Sequence, residues 1–316
     1  MGADPPPHPF SLLSDRARSL LESMRFTAPT PPQILAIPKV QAGLDVLLIA
    51  PTGSGKTEAV LLPILDRLAH AERNGIGLLY VTPLRALNRD MQGRLEGMCH
   101  GLGLTVETRH GDTPQRDRRR QSAKPPDVLI TTPESLQAIL PGAVMRRHLR
   151  HVQHVIVDEV HQLVRDRRGV QLMVALERLR ELTTKPFQRI GLSATVGDPS
   201  IVARFLGGSR PLEILEAPAE KAMEFRVEWP KPNDEDFETA RDLYVSPEAA
   251  ASMNLMRDLI EEHRSTLVFV NSRNVAELVG HRLSMIAQDV GVHHGWLPRV
   301  ERERVEREFK DGRLRG

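Results

Sequence analysis

The chain has one cysteine, Cys99, in 316 residues. It can form no disulfide within itself and no cysteine metal cluster, and Cys99 reads as a small apolar residue. Aromatic residues make up only 4% of the chain, and the net charge is only +2, so no overall polycation argument for nucleic acid is available. No apolar run approaches the ~20 residues that a membrane-spanning helix needs. The opening residues MGADPPPHPF lack a basic region followed by an apolar core, which excludes a secretory signal. Pro6 stands where N-myristoylation after Met-Gly wants Ser or Thr. These absences predict a reducing, cytoplasmic setting with no membrane and no disulfide partner.

What is present suits a packed α/β protein. The hydrophobic fraction is 40%, and the length allows two domains. Charge gathers in runs: Arg116, Arg118, Arg119, Arg120 and Lys124, then Arg146, Arg147, His148, Arg150 and His151, then Arg165, Arg167 and Arg168. Runs of this kind are usually solvated faces, and any one of them could also touch a phosphate backbone.

The organising stretch is Val46 to Thr57, VLLIAPTGSGKT. Val46 to Ala50 reads as a buried strand, Pro51, Thr52, Gly53, Ser54 and Gly55 as a turn, and Lys56 and Thr57 as the start of a helix. A strand, a Gly-bearing loop and a helix N-terminus make a phosphate cradle. Backbone N–H groups and the helix dipole favour anions, and Gly53 and Gly55 let the chain approach phosphate oxygens. Lys56 is expected to reach the β- and γ-phosphates, with the Thr57 hydroxyl on Mg²⁺. Ala50 stands where the strict form of this pattern has Gly. Gln33, just ahead of this strand, carries both a donor and an acceptor; it could read an adenine edge or simply be a polar residue at a helix N-terminus.

Further strands are expected at Gly77–Thr82, Thr105–Thr108, Val128–Thr131, Val152–Val157, Arg189–Leu192 and Leu212–Glu216, with helices between the earlier ones. Pro38 and Pro63 are expected to perturb their helices, and Thr132 to cap one. Strands alternating with helices predict a parallel sheet covered on both faces. Ligands in such sheets sit beyond the carboxyl ends of the strands, where Lys56, Thr82, Thr131, Asp158 and Ser193 all fall. Met223–Trp229 reads as another strand-like run, and the acidic, Pro-rich run 230–238 as an interdomain linker. Beyond it, helices at Pro247–His263, Ser272–Ile286 and Arg299–Lys310 flank short strands at Thr266–Val270 and Gly291–His293. The terminal helix carries Glu303/Arg307 and Glu306/Lys310 at i,i+4 spacing.

Asp158 and Glu159 close an apolar strand. Asp158 can hold Mg²⁺ through a water, opposite Thr57, and Glu159 can orient and deprotonate the attacking water. His161 alone reads as structural.

In this order APTGSGKT, DEVH and SAT resemble motifs I, II and III of superfamily-two helicases. Phe26 and Gln33 resemble the Q motif, Thr82-Pro83-Leu84-Arg85 motif Ia, and Thr131-Thr132-Pro133-Glu134 motif Ib. Val268 to Arg273 resembles motif IV. The runs HGDTPQRDRRR, PPDVLITTPESL, DEVHQLVRDRRGVQL and GLSATVGDP resemble Lhr-type (large helicase-related) ATP-dependent helicases.

The resemblance implies a RecA-like P-loop NTPase domain followed by a partial second RecA-like domain. The expected division is 1–25 an extension, 26–229 the first domain, 230–245 the linker and 246–316 the second domain. It implies ATP and Mg²⁺ as cofactors, 3′-to-5′ movement on single-stranded DNA or RNA, and unwinding of DNA or RNA–DNA duplexes. His161, Ser193 and Thr195 would couple hydrolysis to movement. Thr82, Pro83, Arg85, Thr131, Asn271 and Arg273 would lie along the strand.

Two features depart from the family's pattern. Trp296-Leu297-Pro298 follows His293-His294-Gly295 where the family has small polar residues, and the sequence stops at Gly316, where motif V would begin. Arginine fingers from motif VI would be absent, so the resemblance leaves two alternatives open: a remnant that binds ATP and nucleic acid without efficient hydrolysis, and a DEAD-box-like RNA helicase.

Overall fold

The computed structural model describes residues 8–316 apart from 25, 27, 84 and 219–223. The chain falls into two compact units, 1–222 and 223–316.

Among its described residues the first unit is built on seven parallel strands: β1 (Val46–Ile49), β2 (Leu78–Val81), β3 (Val106–Arg109), β4 (Val128–Thr131), β5 (His154–Val157), β6 (Gln188–Ser193) and β7 (Glu213–Glu216). Their order across the sheet is β3-β4-β2-β5-β6-β1-β7. The expected strands of this unit are therefore present, with ends shifted by at most two residues. β1, β2, β4, β5 and β6 are buried along their whole length, as strands covered by helices on both faces must be. β7 instead alternates half-buried and exposed residues with Glu at both ends, and charge of this kind blunts an exposed sheet edge.

The helices of this unit are α1 (Asp15–Ser23), α2 (Pro31–Gln41), α3 (Lys56–Ala69), α4 (Arg85–Leu102), α5 (Gln115–Ala123), α6 (Pro133–Ile139), α7 (Ala143–Leu149), α8 (Val160–Leu163), α9 (Arg167–Leu182) and α10 (Pro199–Gly207). Strand residues alternate between two cores because successive side chains point to opposite faces. Leu48, Tyr80, Ile130 and Ile156 pack with α1 to α4. Leu47, Leu79, Leu129 and Val155 pack with α6, α7, α9 and α10. Leu61, Leu62 and Leu65 of α3 have no exposed surface, and burial of each is worth about 1.5–3 kcal/mol. α2 and α3 each continue past their internal prolines, Pro38 and Pro63. Ser14 caps α1 and donates its backbone N–H to Asp66 of α3 at 2.8 Å, so the N-terminal extension packs into the same core.

In the second unit α11 (Asp234–Leu243), α12 (Pro247–Glu262) and α13 (Arg273–Ile286) form a small core of Leu243, Met253, Ile260 and Leu283, and α14 (Arg299–Lys310) follows them. Here several expectations are corrected. The acidic run read as linker is largely helical. Asn233 accepts from the Asp236 N–H at 3.1 Å, Asp236 accepts from the Asn233 N–H at 2.8 Å, and this reciprocal cap starts α11. Asn254 of α12 then donates to Asp236 at 2.7 Å, docking the two helices.

The run after Met223, itself outside the described residues, is not a strand: Phe225, Val227 and Trp229 are 84%, 102% and 87% exposed. Thr266–Val270 and Gly291–His293 are not strands either. A strand needs a repeated ladder, and these runs make isolated bonds, Thr266 N–H to Arg315 at 2.7 Å and Gly291 N–H to Gly316 at 2.9 Å. On α14, Arg304 bridges Glu301 and Glu308 at 2.5 and 2.6 Å, and His293 holds Glu306 at 2.9 Å.

Candidate nucleotide site

The chemistry-bearing residues gather beyond three neighbouring strands. In the order β5-β6-β1, Asp158 follows β5, Ser193 ends β6, and the Pro51–Thr57 loop follows β1. The next strands outward, β2 and β4, end in Thr82 and Thr131, and the Thr82 N–H donates to the Thr131 carbonyl at 3.0 Å. The sheet thus places two sets of residues side by side.

In the loop, Gly53 and Gly55 take φ values of +73° and +83°, a region that favours glycine. Ser54 donates its hydroxyl to the Pro51 carbonyl at 2.8 Å, closing the turn. Lys56 opens α3 and is 6% exposed, yet its Nζ has no hydrogen-bond partner. Glu159 Oε1 lies 3.8 Å away. A buried ammonium with three unfilled donors is set for a multiply charged oxygen ligand.

Asp158 is 4% exposed and both its oxygens are held. Tyr80 Oη donates to Oδ2 at 2.6 Å, and the Glu159 N–H donates to Oδ1 at 2.9 Å. Burial pushes this carboxyl above its ordinary value; the Tyr80 hydroxyl and Lys56 pull it part way back, and Glu159 pushes it further up. Each oxygen keeps a lone pair. With the buried Thr57 hydroxyl this is a hard-oxygen donor set that suits Mg²⁺.

Glu159 adopts a left-handed backbone at φ 46°, a conformation that costs a non-glycine residue energy and clusters at functional sites. Its Oε2 lies 3.4 Å from His161 Nε2, and His161 Nδ1 lies 3.2 Å from Ser193 Oγ. The Ser193 hydroxyl donates to the Ala194 carbonyl at 2.8 Å. A continuous polar chain therefore runs from Lys56 through Glu159 and His161 to Ser193. Thr195 is exposed two residues beyond.

Gln33 has no exposed surface. Its Oε1 accepts from the Thr30 N–H at 3.0 Å, while its Nε2 is buried without a partner. The capping reading therefore holds for one atom, and the other atom remains open to a ligand. A Cβ on Gly55 would sit 3.1 Å from this Nε2, so the amide packs against the phosphate loop.

Among the residues expected along a strand, Thr82 is fully buried with an unpartnered hydroxyl oxygen. Thr131 is fully buried and donates to the Arg109 carbonyl at 2.9 Å. Thr132 caps α6, as expected. Pro83 is buried. Leu84 and the Arg85 side chain lie outside the described residues. Asn271 and Arg273 are exposed in the second unit.

Sequence reasoning missed two residues. Tyr80 looks like one more strand aromatic. Arg168, read as part of a charged run, donates to the Pro83 carbonyl at 2.7 Å and pairs with Glu134. It ties together the segments resembling motifs Ia and Ib and the start of α9. Other cations in those runs are also committed. Arg118 donates to the Gly111 carbonyl at 2.6 Å, and Arg120 pairs with Glu107 at 3.1 Å. Cys99 is buried, and its thiol is pushed up to about 12 by that burial, which leaves it inert. Among the described residues no helix is long and apolar enough to cross a membrane.

Residues 30–202 match the family model DEAD/DEAH box helicase. The chain is 40% identical to the Lhr helicase/probable uracil glycosylase of Mycolicibacterium smegmatis, across 92% of this chain and 22% of that protein. It is 36% identical to the ATP-dependent helicase Lhr-Core of Methanocaldococcus jannaschii, across 90% of this chain and 35% of that protein. The structure of Mycobacterium smegmatis helicase Lhr bound to ssDNA and AMP-PNP matches with a TM-score of 0.79 at 39% identity, covering 98% of this chain and 41% of that one. The chain thus spans between 22% and 41% of the length of these relatives.

Proposed function

Because this chain belongs to the DEAD/DEAH box helicase family, we propose that it is the ATP-driven motor portion of an Lhr-like nucleic-acid helicase. The observation that carries this reading is the polar chain from the Lys56 ammonium, which makes no hydrogen bond, through Glu159 and His161 to Ser193. It joins a phosphate cradle to the end of a neighbouring strand.

In this reading Gln33 offers its free Nε2 to adenine, and the backbone of Pro51–Gly55 wraps the phosphates. Lys56 binds the β- and γ-phosphate oxygens. Thr57 and Asp158 hold Mg²⁺, which when bound neutralises charge developing on the phosphates. Glu159 orients the attacking water and takes its proton. His161 senses the state of Glu159 and passes it to Ser193, and with Thr195 this links the nucleotide to the strand contacts.

On the first unit Arg85 is taken to contact a single strand, with the buried Thr82, Pro83 and Thr131 supporting its segment from within; on the second unit, by itself, Asn271 and Arg273 are taken to contact a strand. Contacts there position phosphates and read no base edges. The relative bound to ssDNA supports DNA as one substrate. RNA, RNA–DNA duplexes and 3′-to-5′ movement follow from the Lhr resemblance, and a reducing, cytoplasmic setting from the single cysteine. The division into an extension, a first RecA-like domain and a second such domain is part of the same proposal, with the run 230–245 inside the second unit.

The test separates binding from turnover. In phosphate-release assays at saturating ATP with single-stranded nucleic acid, Glu159→Gln should abolish hydrolysis, and in titrations with a fluorescent nucleotide it should leave affinity within about twofold. Glu159 acts on water and does not hold the nucleotide. A variant that keeps the parent rate would overturn the assignment.

A further inference from the structure

The second unit carries a feature that departs from the Lhr pattern. Trp296, one of two tryptophans in an aromatic-poor chain, is 76% exposed. The Arg273 guanidinium lies over its ring, 4.0 Å from the centroid. A cation thus covers one face of the indole, and the exposure leaves the other open.

The ring is not on a loose loop. The Leu297 N–H donates to the His294 carbonyl at 3.2 Å, closing a turn around Trp296. The Trp296 N–H donates to His294 Nδ1 at 3.3 Å, and His294 Nε2 bonds Glu277 of α13 at 2.5 Å. Accepting at Nδ1 fixes the tautomer with the proton on Nε2, which is the one that can donate to Glu277. His293 anchors the other side of the turn to Glu306 of α14 at 2.9 Å.

The placement of Arg273 points the same way. It is the first residue of α13, where the helix dipole disfavours a cation, and among the described residues it has no carboxylate partner. Neither helix stability nor an ion pair explains it.

We propose that Trp296, backed by Arg273, is a base-stacking platform for a single-stranded nucleic acid on the second unit. The open indole face takes a base, and Arg273 strengthens the stack and stands ready for the neighbouring phosphate. Every base has a π-face, so the platform is indifferent to sequence. It adds a contact to bases where all the other contacts proposed above fall on the backbone. This inference rests on the single-strand binding proposed above.

The experiment uses the full chain with Trp229→Phe, so that all tryptophan emission comes from Trp296. The protein is titrated with an oligo-dT and with an abasic phosphodiester of equal length. Oligo-dT should quench the emission, and the abasic chain should bind more weakly without quenching it. Trp296→Ala should weaken oligo-dT binding by roughly five- to hundredfold and bring it close to the abasic affinity. Trp296→Phe should recover much of the loss, which a folding defect would not allow. Unquenched emission on saturation with oligo-dT, or equal affinity in the alanine variant, would overturn the platform while leaving single-strand binding intact. Failure of the parent to bind either oligomer would overturn the strand-binding reading itself, and the platform with it.

Discussion

Tyr80 Oη sits 2.6 Å from Asp158 Oδ2, across the register of two adjacent strands, with neither residue open to solvent beyond 4%. β2 and β5 pair Tyr80 with Ile156, so Asp158, two residues on, presents its carboxylate on the same face. Tyr80 is thus a positioning residue: it fixes the carboxylate that would hold Mg²⁺.

Tyr80→Phe keeps the ring and deletes that bond. A hydrogen bond to a buried charged group is worth about 1.5–3 kcal/mol. We expect a several-fold rise in the Mg²⁺ concentration needed for half-maximal nucleotide binding, with binding in excess chelator unchanged. An unaltered Mg²⁺ midpoint would show that Asp158 is oriented by other means.

Gly55 and Gly53 make an internally controlled pair. Both have positive φ, at +83° and +73°. A Cβ on Gly55 would also crowd Gln33 Nε2 and Thr30 Oγ1 at 3.1 Å, whereas a Cβ on Gly53 meets nothing within 4 Å. Each alanine should cost about 1–2 kcal/mol for the left-handed backbone, and Gly55→Ala should cost more. Urea unfolding of the two variants checks the order, and equal destabilisation would refute the crowding at Gly55.

His154 gives a pH dependence. Gln188 Nε2 donates to the Val40 and Leu44 carbonyls at 3.1 and 2.7 Å, which turns its Oε1 toward His154 Nδ1 at 3.0 Å. Burial first, then the charge of Arg67, lowers the imidazole from 6.5 to about 4. The unfolded chain therefore binds the extra proton in the window from about 6.5 down to about 4 and the folded chain does not. Stability from this group is full above pH 6.5 and is lost as pH falls through that window, by roughly 3 kcal/mol in all. Comparing His154→Leu with the parent by urea unfolding from pH 7.5 to 4.5 isolates the effect: the parent's stability should drop more steeply. Parallel curves would contradict it.

The strand–loop–helix at Val46–Thr57 and the Asp158–Glu159 pair were legible because buried parallel strands are continuous apolar runs that end abruptly in turn or polar residues. The sheet itself followed from the alternation of strands and helices. Side-chain pairings across it did not, because they depend on strand order. Tyr80 and Asp158 are 78 residues apart, and Arg168 reaches Pro83 across 85. In the second unit the β-branched and aromatic run Thr266–Val270 has a strand's composition, but the pairing that makes a strand is set by its neighbours. The acidic run 230–238 reads as linker by its prolines, yet the cap formed by Asn233 and Asp236 starts a helix there.

The central claim is that Lys56, held in a buried pocket with its donors unfilled, binds the phosphates of ATP. Titration of the parent and of Lys56→Ala with a fluorescent ATP analogue in the presence of Mg²⁺ tests it most directly. We expect saturable binding by the parent and a loss of affinity of at least a hundredfold in the variant, with urea unfolding showing that the variant remains folded. Equal affinity in a folded Lys56→Ala protein would contradict the phosphate cradle, and with it the proposed motor.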